Sequence, residues 1–492
     1  MGLSNKKDKF YITTPIFYVN GPPHIGHAYA AIAADAQARW HRLKGEDVFF
    51  LTGTDEHGEK IEDAAKTSGK SPQEFADDVS ARFREAWNIL NISYNDFIRT
   101  TEPRHVKVVQ EFINRLGQSG DLYKGDYEGW YCIPCETFWT ELQLENDCCP
   151  DCDRPVEKIK EEAYFFKLSK YRDPLLKHYI DHPRFLLPTS RAREVIARVE
   201  DGLRDLCITR KTIRWGIQFP LEAEHVVYVW LDALINYLSA LDWPTGERYK
   251  RYWPADIHLV GKEINWFHSV IWPALLLSAG EKLPNAVFSH GWWTVNGEKM
   301  SKSKGNVVDP FEVVESYPVD AFRYFLLREM AFGDDGDYSA EALKRRINGE
   351  LVSDLGNLLN RVLTLAERYN SPIRGEDELS NSLHLDLLGR HMGDLQYHLV
   401  LGDIWELIRA ANRYANMKQP WKLTGSELGK VLYNLLESLR VTAILLSPFM
   451  PATSDEMNRQ LGTSPGGVGD LSFRKEEWKG KVRRGRYLFQ KV

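Results

Sequence analysis

Two pairs of cysteines are the residues of this chain whose type and spacing point most directly to chemistry. Cys132 and Cys135 form one C-x2-C pair, and Cys149 and Cys152 form a second pair after thirteen intervening residues. Four thiolates at this spacing can close a tetrahedral structural zinc site that leaves no position open for catalysis. Cys148 does not fit the C-x2-C spacing, so we expect the other four cysteines to be the ligands. The alternative is a set of unrelated free thiols.

A second candidate is the pair His24 and His27, which lie three residues apart where a strand-like segment gives way to a helical one. Side chains with this spacing share one face of a helical turn. The free amide groups at a helix N-terminus attract anions, so this turn favours phosphate binding. Gly26 would let a planar ligand approach the backbone closely. Taken alone, the pair is also compatible with histidines that are satisfied by capping or by core contacts.

A cationic loop is predicted at residues 299–306, where the sequence KMSKSKGN places three lysines within six positions. Such a loop can close over a polyphosphate and neutralise the charge that develops on a departing pyrophosphate. Lys299 and Lys302 are the groups that we expect to do this. The alternative is a solvated lysine loop without a ligand.

The residues around the histidines predict a β-α-β unit. Residues 10–19 are a β-branched and aromatic run, 27–43 are an alanine-rich helical stretch closed by Gly45, and 47–52 are a second apolar strand. This alternation of strand and helix favours a parallel α/β sheet.

A second α/β block begins near Glu224 and ends at the lysine loop. Its segments are predicted to be a strand at 225–229, a helix at 230–241, a strand at 256–260, a helix at 263–279 and a strand at 286–289. The sequence therefore predicts one α/β fold, a Rossmann-like parallel sheet split by a connective insertion that carries the zinc knuckle.

The C-terminal part of the chain shows a different pattern. The segments 342–368, 385–417 and 427–446 have helical periodicity without strand signals, which predicts an all-α helical bundle. The last segment, 474–492, contains eight basic and two acidic residues. This tail could be a solvated end or a contact with an RNA backbone.

Length and composition agree with a multidomain globular protein. The chain has 492 residues, of which 43% are hydrophobic and 27% charged, and this excludes disordered and collagen-like structure. Its net charge of −6 gives no basic field over the whole surface, so a nucleic-acid partner would have to meet local patches. No apolar run reaches the roughly 18 residues of a membrane-spanning helix, and the polar N-terminus has no secretion signal. We therefore expect a cytoplasmic protein without a membrane partner.

These patterns predict six regions in the chain. They are the first half of the Rossmann-type domain at 1–115, the connective insertion at 116–223, the second half of that domain at 224–295, the lysine-rich loop and a linking segment at 296–345, a helical domain at 346–465 and a basic tail at 466–492.

The histidine turn and the lysine loop together resemble the paired signatures of class I aminoacyl-tRNA synthetases. Each follows a predicted strand in one half of the split sheet, and their joint occurrence is far more specific than either motif alone. The chain is most similar to the methionyl-tRNA synthetase family, and the similarity extends from about residue 10 to the tail. The segments that carry it are 15–21 (PIFYVNG), 53–58 (GTDEHG), 229–237 (VWLDALINY) and 267–269 (FHS).

This resemblance implies functional residues position by position. The ATP-binding residues would be His24, Gly26, His27, Gly261, Glu263, Lys299 and Lys302. Four of them would be catalytic, namely His24, His27, Lys299 and Lys302. The methionine-binding residues would be Ile16, Tyr18, Asp55, Trp230, Ala233, Tyr237, Ile264 and His268.

The chemistry of this pocket is sensible without the resemblance. Asp55 ends a predicted parallel strand, where ligands of open sheets bind, and it supplies a carboxylate for an α-ammonium group. An apolar aromatic slot for a thioether, whose sulfur favours ring contacts, would be formed by Tyr18, Trp230, Tyr237 and Ile264. Each aromatic residue could instead be a core position, and His268 could be a buried structural histidine.

The helical bundle contains residues suited to RNA. Asn357 and Arg361 have i, i+4 spacing and so lie on one helix face, and Trp421 follows Pro420 where a helix would start. An aromatic face, an amide and a guanidinium can stack on unpaired bases and hydrogen-bond them. The resemblance implies that these residues bind the anticodon of tRNA(Met). The alternative is that Trp421 packs in the bundle core.

The function implied by the resemblance is a methionine–tRNA ligase, an enzyme that forms methionyl-adenylate from methionine and ATP. It would then transfer the methionyl group to the 3' adenosine of tRNA(Met). The expected cofactors are one structural Zn²⁺ per chain and Mg²⁺ with ATP. We expect a monomer, because the chain ends without the β-barrel tRNA-binding domain that some relatives append.

Three alternatives remain open from the sequence. Another class I synthetase for an apolar amino acid shares both signatures, but leucine, isoleucine and valine enzymes have a much larger editing insertion. A small-molecule adenylyltransferase of the same fold would not need the helical bundle. A non-catalytic tRNA-binding relative would be free to lose its active-site histidines and lysines, which are all present here.

Overall fold

A six-stranded parallel sheet forms the centre of the computed structural model, which describes residues 8–139, 141–144, 146–150, 152–300 and 305–492. The first half of this sheet comes from β1 (Lys9–Tyr18), α1 (Ile25–Leu43), β2 (Asp47–Asp55), α2 (Glu59–Thr67), α3 (Pro72–Ile89), β3 (Asp96–Arg99) and α4 (Pro103–Gln118). β2 is buried along almost its whole length, as expected for a parallel strand that is covered on both faces.

The insertion forms its own antiparallel sheet and then returns to the central one. Its elements are β4 (Leu122–Cys132), β5 (Thr137–Trp139), β6 (Glu157–Phe166), α5 (Arg172–Asp181), β7 (Leu186–Leu187), α6 (Thr189–Glu200), β8 (Leu206–Cys207), β9 (Thr209–Arg210) and β10 (Val226–Val227). β5, β4, β6 and β8 are neighbours in the antiparallel sheet, and the cysteine pairs lie at one end of it.

The second half of the central sheet follows the insertion. It consists of α7 (Val229–Leu234), α8 (Asn236–Ser239), α9 (Glu247–Tyr252), β11 (Ile257–Gly261), a π-helical turn (Phe267–Ile271), α10 (Trp272–Ser278) and β12 (Val287–His290). The strand order is β3-β2-β1-β11-β12-β7 and every pair is parallel. The predicted split Rossmann-like sheet is therefore confirmed.

Two predictions about this half were wrong in detail. The strand expected at 225–229 is only β10, which pairs antiparallel with β9 outside the central sheet. The edge strand β7 was not predicted, because two leucines within the insertion carry no strand pattern. The helix expected at 230–241 is divided between α7 and α8.

A small three-stranded sheet and a helical bundle complete the protein. The sheet contains β13 (Trp293–Val295), β14 (Glu298–Lys299) and β15 (Gly336–Tyr338), with α11 (Pro310–Ser316) and α12 (Val319–Arg328) between β14 and β15. The bundle contains α13 (Ala340–Arg346), a π-helical segment (Ile347–Gly356), α14 (Asn357–Ala366), α15 (Leu385–Gly393), α16 (Tyr397–Lys418), α17 (Gly425–Leu446) and α18 (Pro451–Leu461).

The predicted all-α bundle is confirmed, although the helix expected at 385–417 is broken between α15 and α16. Leu395 adopts a positive φ of 56° at this break, a conformation that a helix cannot continue through. The basic tail lies along the bundle, where Phe489 is buried and Val492 exchanges hydrogen bonds with Asn348. No helix in the described part of the chain is long and apolar enough to cross a membrane.

A buried arginine connects the catalytic sheet to the bundle. Arg323 on α12 is fully buried and donates to the Asp35 carboxylate on α1 at 2.7 Å. The same guanidinium donates to the carbonyl oxygens of Leu90 at 3.0 Å and Phe449 at 2.9 Å. Because a buried charge must be paired and hydrogen-bonded, this network fixes the bundle against the first half of the sheet.

Candidate active site and metal knuckle

Three central strands end at the same edge of the sheet and carry the predicted pocket. β1 ends at Tyr18 and β2 ends at Asp55, and these two residues are direct partners in the parallel register. β11 ends at Gly261, beside β1. Because ligands of open α/β sheets bind outside the carboxyl ends of the strands, this edge is the expected ligand site.

Asp55 is the most unusual group at this edge. Its side chain is buried, and Oδ1 has no hydrogen-bond partner among the residues that the structure describes. Burial raises the pKa of Asp55 well above its ordinary value, and the nearby acids Asp232 and Glu136 raise it further. A buried carboxylate with one unsatisfied oxygen is costly, so its environment is suited to receive a cation such as an ammonium group.

Aromatic residues from the second half form an apolar wall. The Trp230 ring stacks on Phe267 with ring centroids 3.8 Å apart. Tyr237 donates its hydroxyl to Nε2 of His268 at 2.7 Å, while Nδ1 of His268 donates to the Ile264 carbonyl at 3.0 Å. Burial lowers the pKa of His268 to about 4, so the imidazole is neutral near pH 7. This wall is a place for an uncharged side chain.

The remaining predicted methionine residues lie on the same elements. Ala233 is buried on α7, three residues after Trp230, and Ile16 is half-buried on β1 opposite Gly53. The structure therefore places all eight predicted methionine-binding residues on elements at or next to this edge. Their contact with methionine stays a prediction.

The histidine turn begins α1. His24 is the N-cap, and its Nδ1 accepts from the Gly26 amide at 3.1 Å. The His24 amide donates to Nδ1 of His27 at 3.2 Å, and the two rings stack at 3.7 Å. The two histidines therefore do cap the helix, as the alternative interpretation predicted. This capping places both imidazoles at a helix N-terminus, where anions are favoured.

The predicted ribose contacts lie at the end of β11. A Cβ on Gly261 would lie 2.3 Å from Oε1 of Glu263, so the Glu263 side chain would have to move away from the backbone of Gly261. Glu263 is exposed and accepts from the Trp292 indole at 2.6 Å. Lys302 and the side chain of Lys299 lie outside the described residues, so the structure does not test their predicted role.

Sequence reasoning missed a buried cluster under the pocket. The Asp232 carboxylate on α7 accepts from Nδ1 of His57 at 2.6 Å and from Nε2 of His105 at 2.7 Å. Burial alone would raise the pKa of Asp232, but the two histidines more than offset it and hold that pKa below its ordinary value. The cluster joins α7 to β2 and α4, because His57 follows β2 and His105 lies on α4.

Glu136 is a second acid that the sequence did not single out. It belongs to the insertion, yet it is buried and accepts from the Tyr18 hydroxyl at 2.6 Å. Burial raises its pKa to about 7. A glutamate next to a cysteine pair carries no signal of such a contact in a single sequence.

The four predicted cysteine ligands converge. The sulfur atoms of Cys132, Cys135, Cys149 and Cys152 all lie within 4.8 Å of one another. Cys132 and Cys152 are 3.6 Å apart and Cys135 and Cys149 are 3.9 Å apart. Sulfur ligands at about 2.3 Å from a tetrahedral Zn²⁺ have this spacing. These cysteines could hold a metal ion, and Cys148 lies outside the group.

The predicted anticodon residues meet on the bundle surface. Trp421 is 49% exposed, which does not fit the core alternative. The Arg361 guanidinium lies 5.2 Å from the Trp421 ring centroid and donates to Asn416 Oδ1 at 3.1 Å. Asn357, the first residue of α14, is exposed one turn before Arg361. The three side chains therefore offer one solvent-facing group of an aromatic face, an amide and a guanidinium.

Comparisons with known proteins agree with this fold and site. The family model described as tRNA synthetases class I (M) matches residues 10–157 and 144–363. The fold agrees with this match: the parallel sheet is split by an insertion, carries a histidine turn at its carboxyl edge and is followed by an all-α domain. The fold and the match together define a class I aminoacyl-tRNA synthetase.

Individual relatives narrow the class. The methionine–tRNA ligase of Caldanaerobacter subterraneus subsp. tengcongensis is 50% identical over 99% of this chain and 79% of the relative. That of Thermotoga maritima is 49% identical over 92% of this chain and 75% of the relative. The structure of Mycobacterium tuberculosis methionyl-tRNA synthetase in complex with methionyl-adenylate has a TM-score of 0.94 at 40% identity, covering 98% of this chain and 99% of that one. The chain belongs to the methionine–tRNA ligase family, so the predicted fold class and enzyme function are confirmed.

Asp55→Asn tests the buried carboxylate. Because a raised pKa in the folded state means that the ionised form costs stability above about pH 4, the variant should raise Tm at pH 7 in the absence of methionine. Loss of a charge-assisted hydrogen bond worth about 1.5–3 kcal/mol should weaken methionine binding at least tenfold. Thermal unfolding and calorimetric titration measure the two effects.

Asp35→Asn is the matched control for Asp55→Asn. Asp35 is equally buried, but Arg323 and Arg39 offset its burial and hold its pKa below the ordinary value, so the control should lower Tm. Unchanged methionine affinity in Asp55→Asn would contradict the assignment of Asp55.

Serine substitutions test the metal knuckle. Metal analysis of the purified protein should find about one zinc per chain. Cys149→Ser should lose this zinc and destabilise the insertion, because metal binding and local folding are coupled. Cys148→Ser should retain the metal, and the reverse pattern would mean that the ligand register is wrong.

Proposed function

We propose that this chain activates L-methionine with ATP at the carboxyl edge of the central sheet and transfers the methionyl group to the 3' adenosine of tRNA(Met). The observation that carries this proposal is Asp55, whose buried carboxylate has an unsatisfied oxygen beside an apolar aromatic wall. An ammonium group would satisfy the carboxylate, and an uncharged thioether would fit the wall. Methionine carries both groups.

The neutral state of His268 supports this amino acid specificity. Its Nδ1 proton is held by the Ile264 carbonyl, so Nε2 accepts from Tyr237. The pair is therefore satisfied internally and presents no charge to a substrate side chain. Such a slot disfavours charged amino acids, because they would be desolvated without a partner.

The proposed adenylation step depends on positioning. The methionine carboxylate attacks the α-phosphorus of ATP in line, and pyrophosphate leaves, so the protein must align the groups and stabilise developing charge. His24, Gly26 and His27 would hold phosphates at the N-terminus of α1, and Gly261 and Glu263 would hold the ribose. Lys299 and Lys302 would stabilise the departing pyrophosphate. Mg²⁺ bound with ATP would neutralise part of the phosphate charge.

The proposed tRNA site lies on the bundle. Asn357 and Arg361 would hydrogen-bond base edges of the anticodon, and Trp421 would stack on a base. The exposure of Trp421 and its contact with the Arg361 guanidinium support this placement. The zinc knuckle would be structural, because four cysteine ligands leave no open coordination position.

An ATP–pyrophosphate exchange assay across the twenty amino acids tests the proposed substrate. We expect methionine to support exchange and all other protein amino acids to be much weaker. Preference for a different amino acid would overturn the proposal. Methionine-dependent exchange without transfer to tRNA(Met) would limit the proposed activity to the first half-reaction, the formation of methionyl-adenylate.

Trp421→Ala tests the anticodon site. Loss of a base–aromatic stack costs roughly 1–3 kcal/mol, so tRNA charging should fall about ten- to a hundredfold. Methionine-dependent exchange should be nearly unchanged, because adenylate forms at the sheet. Trp405→Ala is the matched control, since Trp405 is fully buried in the bundle and should lower Tm instead. Equal losses of exchange and charging in Trp421→Ala would contradict an anticodon role.

A further inference from the structure

The insertion that carries the metal knuckle also contacts the methionine pocket. Glu136 directly follows the predicted ligand Cys135, and its carboxylate accepts from the hydroxyl of Tyr18 on β1. We propose that Glu136 is a positioning residue that holds Tyr18 in the methionine-binding orientation and so connects the fold of the knuckle to methionine affinity. This inference rests on the proposed methionine pocket.

Hydrogen bonds hold both the side chain and the backbone of Glu136. Its carboxylate Oε1 lies 2.6 Å from the Tyr18 hydroxyl oxygen and 3.4 Å from the Lys60 amide nitrogen at the start of α2. Its backbone carbonyl accepts from the buried Tyr228 hydroxyl at 2.6 Å. Glu136 itself is only 4% exposed. The side chain and the backbone are therefore both held, so the carboxylate has one defined position.

Gly58 makes room for this contact. A Cβ at Gly58 would lie 2.4 Å from Oε1 of Glu136 and 2.7 Å from the Tyr18 hydroxyl, and its φ of 110° also favours glycine. Gly58 lies three residues after Asp55. The segment that leaves β2 is thus shaped to admit a carboxylate from the insertion at this point of the pocket.

The backbone of the knuckle leads directly to Glu136. The Glu136 amide donates to the Ile133 carbonyl at 3.3 Å, which closes the turn between the two cysteines of the first pair. The Lys60 ammonium donates to the Pro134 carbonyl at 3.4 Å in the same turn. Because the four cysteines fit a metal ion, an ordered knuckle would hold this turn, and the turn places Glu136.

Tyr18 would transmit the effect of Glu136 to the substrate. Tyr18 pairs in register with Asp55 on the neighbouring strand, so a shift of its ring changes the space beside the carboxylate. The hydrogen bond between its hydroxyl and Glu136 fixes the ring. A side chain that is already held in its binding orientation loses less conformational entropy when the ligand binds. ATP would bind at the histidine turn and at β11, so Glu136 should act on methionine and not on ATP.

Variants of Glu136 test this role in the full chain. Glu136→Ala should raise the KM and the Kd for methionine about tenfold, the effect of losing one buried hydrogen bond, with kcat and the KM for ATP changed much less. Glu136→Gln keeps a carbonyl oxygen for the Tyr18 hydroxyl and should restore most of the affinity. Exchange kinetics and calorimetric titration with methionine measure these values.

A matched control and a double-mutant cycle separate positioning from general stability. Glu128→Ala removes an exposed glutamate of β4 whose ion pairs, among the described residues, are with Lys158 and Lys160, and it should leave methionine affinity unchanged. Tyr18→Phe and Glu136→Ala should not be additive in methionine binding, because each removes the same hydrogen bond. Additive effects, or a loss of kcat that follows Tm, would overturn the proposal. If Glu136→Ala does not fold, the cycle is completed with Glu136→Met, which also removes the acceptor oxygen but fills a similar volume, and additivity there has the same meaning.

Removal of the metal supplies a second readout. Chelation, verified by zinc analysis, should raise the Kd of the wild type for methionine and should have little further effect on Glu136→Ala. Equal responses of both proteins would overturn the connection between the knuckle and the pocket. A wild type that does not activate methionine would instead refute the proposed function, so the two failures are distinguishable.

Discussion

The pairing of β1 with β11 is the interaction on which the active site depends. Thr13 on β1 and His258 on β11 are 245 residues apart in the chain, yet they are register partners and share a buried hydrogen bond of 2.9 Å. The β1–β11 pairing joins two groups of three strands into one parallel sheet. Neither group is left with an unpaired edge strand at the centre of the sheet. Only because of it do Asp55 from the first half and Trp230 from the second lie at one site.

Charge compensation distinguishes Asp55 from three other buried acids, Asp232, Glu56 and Asp35. Asp232 is satisfied by two histidines, and Glu56 is paired with Arg99 at 2.7 Å. Asp35 is paired with Arg323 in the same way. Asp55 is the member of this group that keeps an unsatisfied oxygen. Buried charges are normally paired, so the missing partner is supplied by substrate in our interpretation, and the stability that this costs is a feature of the site.

Sequence reasoning succeeded where the signal was periodic and local. The strands and helix of the first β-α-β unit, the bundle and the grouping of the four cysteines were predicted within a few residues, because apolar repeats and C-x2-C spacing are short-range patterns. It failed for β7, since two leucines have no period. It also failed for the break at Leu395, where Gly393 and Asp394 mark a turn but the helical periodicity on both sides favoured one continuous helix. Glu136 and the His57–Asp232–His105 cluster were missed because their partners lie about a hundred residues or more away.

The insertion connects the four-cysteine knuckle, which could hold a metal ion, to the edge of the central sheet. It leaves the sheet after α4 and contacts it again through β7 beside β12, through Glu136 beside Tyr18 and through Trp215, whose indole donates to the Glu56 carbonyl after β2. Lengthening a loop between fixed ends adds little entropy cost, so a large insertion is tolerated at this position. The insertion is, however, anchored both on the sheet edge and on the pocket. Disorder within the insertion would therefore also disturb the pocket. In our proposal the turn of the first cysteine pair is therefore part of the methionine pocket, because it places Glu136 against Tyr18.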